Sequence, residues 1–221
     1  MKKFFELVKQ VDVLISKGPK EENIEEIARI LSEYPGLKSY FFDRLEDCNW
    51  IRPLWEKGFF RNPPEPTTNK LDGIIGFPAW DESRYLARIA SKISDYSTQK
   101  LVFDIVLGID TNNIRIWEDI VDIASALPGD LAAEIVSKIE LWLLDQQQIP
   151  SSSLPNKLGG LVIHLAKSGR VDEAFNLALV LFEVIPDPRD QTSPRARFNL
   201  WDYEEVAKKC SFLLAHVDGI R

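Results

Sequence analysis

Two histidines, His164 and His216, and two cysteines, Cys48 and Cys210, are all the imidazole and thiol in this chain of 221 residues. Nucleophilic catalysis needs a base within hydrogen-bond reach of a nucleophile. His164 lies among Leu161, Val162 and Leu165 in a helical pattern, with no GxSxG turn beside it, and reads as a structural histidine. His216 falls in the last turn of the last helical stretch, where an imidazolium suits the helix C-terminus. The cysteines form no CxxC pair, and two thiols make no disulfide framework, so a reducing cytosol is the simpler setting.

Carboxylates that share a helix face are the next candidates. Asp43, Glu46 and Asp47 form one such group, and Glu118, Asp119 and Asp122 another. Helix surfaces produce this spacing often. The sequence holds no HExxH, no EF-hand loop, no GxxxxGK[ST] and no GxGxxG. Gly73-Ile74-Ile75-Gly76 lacks the lysine and the following helix start that a phosphate loop needs. No metal and no cofactor are expected.

Two clusters remain. Trp50, Trp55, Phe59, Phe60, Phe77 and Trp80 form the densest aromatic group. Of these, Trp50, Trp55, Phe59, Phe60 and Trp80 are candidates for a partner-binding surface, because Trp and Tyr dominate interface hot spots. The competing reading, which the sequence favours, is that they pin a long loop that must bury something to stay ordered. Arg189, Arg195 and Arg197 are candidates for bidentate contact with a carboxylate or phosphate. Asp187 and Asp190 offset their charge, as on an ordinary solvated loop.

Lys plus Arg is 27 against 34 for Asp plus Glu, a net charge of −7. That balance argues against general binding to a phosphate backbone, though not against a local basic patch. Residues 111–160 are the most acidic stretch. The opening Met-Lys-Lys-Phe-Phe is interrupted by Glu6, Lys9, Gln10 and Asp12, so no signal-peptide core forms. No apolar run is long enough to span a bilayer, since Asn176 and Glu183 break the most apolar stretch. The expected location is the cytoplasm.

The elements that must position these residues are helical. Phe4, Leu7, Val8, Val11 and Ile15 predict an amphipathic helix over 2–17, stopped by Gly18-Pro19. Ile24, Ile27, Ala28 and Leu31 predict a second, ended by Tyr34-Pro35-Gly36, and Tyr40, Phe41 and Leu45 a third. A short helix carries Pro53 near its start. Residues 61–80, with Pro63, Pro64, Pro66 and Pro78, cannot form a regular helix and are long for a connection. Helices resume at Asp81, at 98–108, after the turn Asp110–Asn113, at Asp130, before Gly169, after Val171, and over 202–217. Pro186, Pro188 and Pro194 mark a second irregular loop. No β-alternation is evident.

The class is therefore all-α, as a globular bundle or as an α-solenoid of antiparallel helix pairs (HEAT, armadillo or tetratricopeptide-like) with two proline-rich loops. Consecutive short helix pairs favour the solenoid. So does Leu165-Ala166-Lys167-Ser168-Gly169-Arg170-Val171-Asp172-Glu173-Ala174, which is similar to a tetratricopeptide hairpin turn. No fixed period links the units, which a degenerate repeat tolerates. The chain reads as one helical-repeat domain over 1–221, and its one available sub-division, 1–60 and 81–221, falls around the 61–80 loop.

Tyr40-Phe41-Phe42-Asp43-Arg44-Leu45, Trp50-Ile51-Arg52-Pro53-Leu54, Gly58-Phe59-Phe60, Pro63-Pro64, Pro78-Ala79-Trp80 and Tyr85-Leu86 together resemble HEAT/armadillo-like helical-repeat segments near the start of long bacterial proteins of unassigned function. The resemblance implies a HEAT-like scaffold and a native chain continuing past Arg221, and it carries no catalytic residue. The expected function is a non-enzymatic scaffold that binds another protein or another region of a longer native chain. The alternatives are a regulatory part of an enzyme with its site at the 61–80 loop, and a nucleic-acid binder through the 189–197 arginine loop.

Overall fold

The computed structural model describes residues 2–145, 153–187, 190–196, 198, 200–211 and 213, and they are all-helical apart from two short hairpins. The helices are α1 (Lys2–Ser16), α2 (Glu21–Glu33), α3 (Lys38–Arg44), α4 (Ile51–Glu56), α5 (Asp81–Ala90), α6 (Tyr96–Gly108), α7 (Ile114–Ala126), α8 (Gly129–Asp145), α9 (Leu154–Lys167), α10 (Val171–Phe182) and α11 (Leu200–Cys210). The chain forms two compact units, Met1–Ile116 and Trp117–Arg221, and the division falls inside α7. The 61–80 segment belongs wholly to the first unit.

In the first unit α1 packs on α2, α2 on α4, α3 on α5, α4 on α6 and α5 on α6. Buried positions follow the helical period: Ile24, Ile27, Ile30 and Leu31 on α2, and Tyr85, Leu86 and Ile89 on α5. On α1 the buried positions are Val11 and Leu14, while Phe4, expected on the inner face, is half exposed. The C-terminal end of α3 is closed by α5: Arg88 Nη2 donates to the carbonyls of Phe42 at 2.6 Å and Leu45 at 2.7 Å. Tyr85 Oη donates to the Asp47 carbonyl at 2.6 Å. Helix ends leave such carbonyls unpaired, and burying them without a donor is costly.

In the second unit α8 packs on α9 and α10, and α9 on α10 and α11. The turn between α9 and α10 is a Schellman motif. Arg170 N–H donates to the Leu165 carbonyl at 2.9 Å and Gly169 N–H to that of Ala166 at 3.1 Å. Gly169 supplies the required left-handed residue, with φ 79°. Ala174 is fully buried one turn later.

The two proline-rich loops differ from the expectation of irregular coil. In the first, β1 (Thr67–Thr68) pairs antiparallel with β2 (Ile75–Gly76). In the second, β3 (Val184–Asp187) pairs antiparallel with β4 (Asp190–Ala196). Pro186 stands opposite Pro194. A two-stranded ribbon tolerates this because each strand keeps an edge where a missing N–H breaks no ladder bond.

Gly129, at the start of α8, faces the α9–α10 turn. A Cβ built on it would lie 2.4 Å from Ser168 Cβ, closer than real carbons approach. Gly129→Ala is therefore expected to destabilise the chain by about 1–3 kcal/mol through overpacking, read as a lowered urea midpoint.

Candidate functional site

The 61–80 segment is built from its base outwards. Asn113, fully buried, caps α7 by accepting the Arg115 N–H at 3.1 Å through Oδ1. Its Nδ2 donates to the Pro64 carbonyl at 2.9 Å and the Pro78 carbonyl at 2.7 Å. One amide thus holds both ends of the loop. Glu65 Oε2 accepts the Asn112 N–H at 3.3 Å, a weaker tie on the same side. Beyond this base the turn is closed by its own polar groups. Asn69 Oδ1 accepts from Leu71 N–H, Asp72 Oδ1 from Ile74 N–H, and Asn69 N–H donates to the Ile74 carbonyl. Gly73 takes φ 70°, which the turn needs. The outcome is an ordered hairpin whose apolar residues face water: Leu71 is 96%, Ile74 64% and Ile75 54% exposed.

The aromatic candidates divide. Trp50, Phe60 and Trp80 are core residues. Trp50 lies edge-on to Phe41 at 5.8 Å, and Phe59, half-buried, edge-on to Phe42 at 5.9 Å. Trp80 precedes α5 with its indole N–H buried and unpartnered, so its ring serves as an apolar anchor for the returning end of the loop. Trp55 is the exception, 39% exposed. The pinning role is thus filled by Trp80 and Asn113. Sequence reasoning placed Asn113 in a turn with N-cap chemistry but not as the tie of the loop, and it missed Leu71, Ile74 and Ile75, whose aliphatic types inside a proline-rich stretch were the available signal.

Arg195 lies in β4 opposite Ile185, while Arg189 and Arg197 fall outside the described residues, as does His216. His164 is structural in the sense expected. Its Nε2 lies 2.8 Å from the Leu127 carbonyl, so it donates there at the end of α7. Both cysteines are free thiols. Burial pushes Cys48 upward, with the Asp47 charge adding to it, and pushes Cys210 up to about 11. Neither is primed as a thiolate. Among the described residues no group of three or more His, Cys, Asp or Glu could hold a metal ion, and no helix is long and apolar enough to cross a membrane.

Among the described residues one carboxylate-bearing side chain is buried. Glu82, in the first turn of α5, is 2% exposed and accepts from Lys38 Nζ at 2.7 Å through Oε1. Burial raises its pKa above the ordinary carboxylate value, and the hydrogen bond and charge of Lys38 only partly oppose it. The folded chain therefore binds this proton more tightly than the unfolded chain does. Stability from this group is fully present below the unfolded pKa and falls as pH rises through the folded one. In paired urea melts between pH 4 and pH 7, the stability of Glu82→Gln relative to the parent should rise with pH.

Asn113→Ala leaves both carbonyls without their donor and removes the cap. An expected loss of about 2–4 kcal/mol follows from the unsatisfied groups, together with selective proteolytic nicking between residues 64 and 78. No protein-family model matches the chain, and no curated protein or solved structure matches it.

Proposed function

We propose that the protein is a non-enzymatic helical-repeat scaffold that binds another protein through the tip of the 61–80 hairpin. The observation that carries this is the pairing of order with exposure. Leu71, Ile74 and Ile75 are held in water by a closed turn and a buried clamp. Apolar side chains removed from water stabilise a fold, and these contribute little of that until a partner covers them. The turn is already ordered, so binding costs little conformational entropy. The matching partner surface is an apolar cleft wide enough for two aliphatic side chains. A net charge of −7 disfavours nucleic acid as the alternative.

The α-solenoid form of the scaffold is supported by packing within each unit. The helix pairs named above join neighbours one or two places apart in the chain, as in stacked repeats. The Schellman turn before α10, with Ala174 buried behind it, supports the same reading. The resemblance of the Tyr40–Leu86 stretch to HEAT-like segments agrees with it.

The test uses a photo-crosslinking residue at Leu71, with the same residue at exposed Lys92 as the control, each expressed in the native host. A discrete protein adduct at position 71 alone is expected, lost on Ile74→Asp. That substitution should leave stability within about 0.5 kcal/mol, since the site is on the surface. Identical adduct patterns at both positions would overturn the proposal.

A further inference from the structure

The 61–80 hairpin has two edges, and they differ. An antiparallel ribbon alternates between residue pairs that bond to each other and pairs whose N–H and C=O groups point outward. Thr67 faces Gly76, Thr68 faces Ile75, and the Asn69 N–H donates to the Ile74 carbonyl at 2.9 Å. Asn69 and Ile74 are thus a bonded pair, Thr68 and Ile75 an outward pair, and Thr67 and Gly76 a bonded pair again. On the β1 edge the outward groups belong to Thr68 and, two residues back, to Pro66, which has no N–H. On the β2 edge they belong to Ile75 and, two residues on, to Phe77. Among the described residues no hydrogen bond meets the Phe77 N–H. Proline is one of the devices that blunt a sheet edge. Here it blunts β1 and leaves β2 open, with the Ile75 side chain 54% exposed beside that edge.

We propose that the partner supplies an extended strand that pairs with β2 through the N–H and C=O of Ile75 and makes the hairpin a three-stranded sheet. This rests on the reading of the hairpin tip as the contact surface, and it adds what the partner must present. That is a free strand edge with a β-branched aliphatic side chain beside Ile75, next to the apolar cleft that takes Leu71 and Ile74. In strand addition, main-chain bonds give affinity and side-chain pockets give selectivity. Cross-strand aliphatic neighbours add to both. A helix spends its main-chain groups on itself, so a helical partner would leave those of Ile75 to water. The two residues of β2 carry one such outward set. Strand pairing therefore fixes orientation and register, while the aliphatic tip supplies most of the apolar burial.

The probe is the protein recovered in the Leu71 adduct, titrated against the purified whole chain. Ile75→Ala keeps the N–H and should lose only one aliphatic contact. Ile75→Pro removes the N–H as well and should bind about tenfold more weakly than Ile75→Ala, the loss expected when a main-chain bond goes and its acceptor stays covered. Thr68→Pro removes an N–H from the opposite edge and should bind like the parent. The Asn69 amide resonance, which reports the bond across the turn, shows whether the hairpin is intact in each variant. Where Ile75→Pro opens the hairpin, the 2-hydroxy analogue of isoleucine at position 75 takes its place. That ester deletes the N–H, keeps the side chain and should weaken the parent affinity about tenfold. Equal affinities of Ile75→Pro and Ile75→Ala with the hairpin intact, an ester that binds like the parent, or an equal loss in Thr68→Pro would each overturn the strand pairing and leave the tip as a binding surface. Absence of a discrete adduct at Leu71 would instead overturn the contact surface itself, and the pairing with it.

Discussion

Everything the 61–80 segment can present depends on one buried amide. Asn113 spends its oxygen on the first turn of α7 and its nitrogen on the carbonyls of Pro64 and Pro78. Proline contributes a carbonyl but no N–H, so a proline-rich loop is rich in acceptors and short of donors. Such a loop cannot close on itself by backbone bonding alone. A side chain with a donor to offer, fixed by a helix cap and shielded from water, solves the deficit. Because the amide is buried, competing water is excluded and the bonds gain strength.

The same logic operates in the rest of the first unit. The short α3 ends inside the protein, where Arg88 of α5 meets the carbonyls of Phe42 and Leu45, and Tyr85 of the same helix meets that of Asp47 just beyond. Burial of the Tyr85 hydroxyl pushes its pKa well above the usual phenol range, so it remains a donor at any physiological pH. Short helices are weak formers in isolation and take most of their stability from packing. Here packing and carbonyl satisfaction come from the same helix, which ties the geometry of α3 and α5 together and sets where Glu82 and Lys38 meet.

Much of this frame was legible in the sequence, and the reasons are local. Gly18-Pro19, Pro35-Gly36, Pro128-Gly129 and Gly169 stop or start helices through backbone chemistry that any context preserves. Asn113 as a cap follows the same kind of rule. What was not legible depends on partners distant in sequence. The second role of Asn113 spans 35 and 49 residues. Two-residue strands carry no alternation to detect, and Pro186 and Pro194 argue against a strand until they are seen opposite each other. Tryptophan type alone does not distinguish Trp80, buried as an anchor, from Trp55, partly in solvent. The exposure of Leu71 and Ile74 ran against their residue type, so a pattern rule that buries aliphatics could not find them.

The clamp at Asn113 also has a meaning for how such a chain diversifies. The peptide leaves at Pro64 and comes back at Pro78 to a single nitrogen, with Glu65 adding a weaker tie, so the frame registers the ends of the loop and not its tip. The entropy of closing a loop grows slowly with its length. Residues of the turn beyond Glu65 can lengthen, shorten or change character with little effect on the helices beneath them. The junction works as a socket: one fixed fitting into which different recognition elements can be seated.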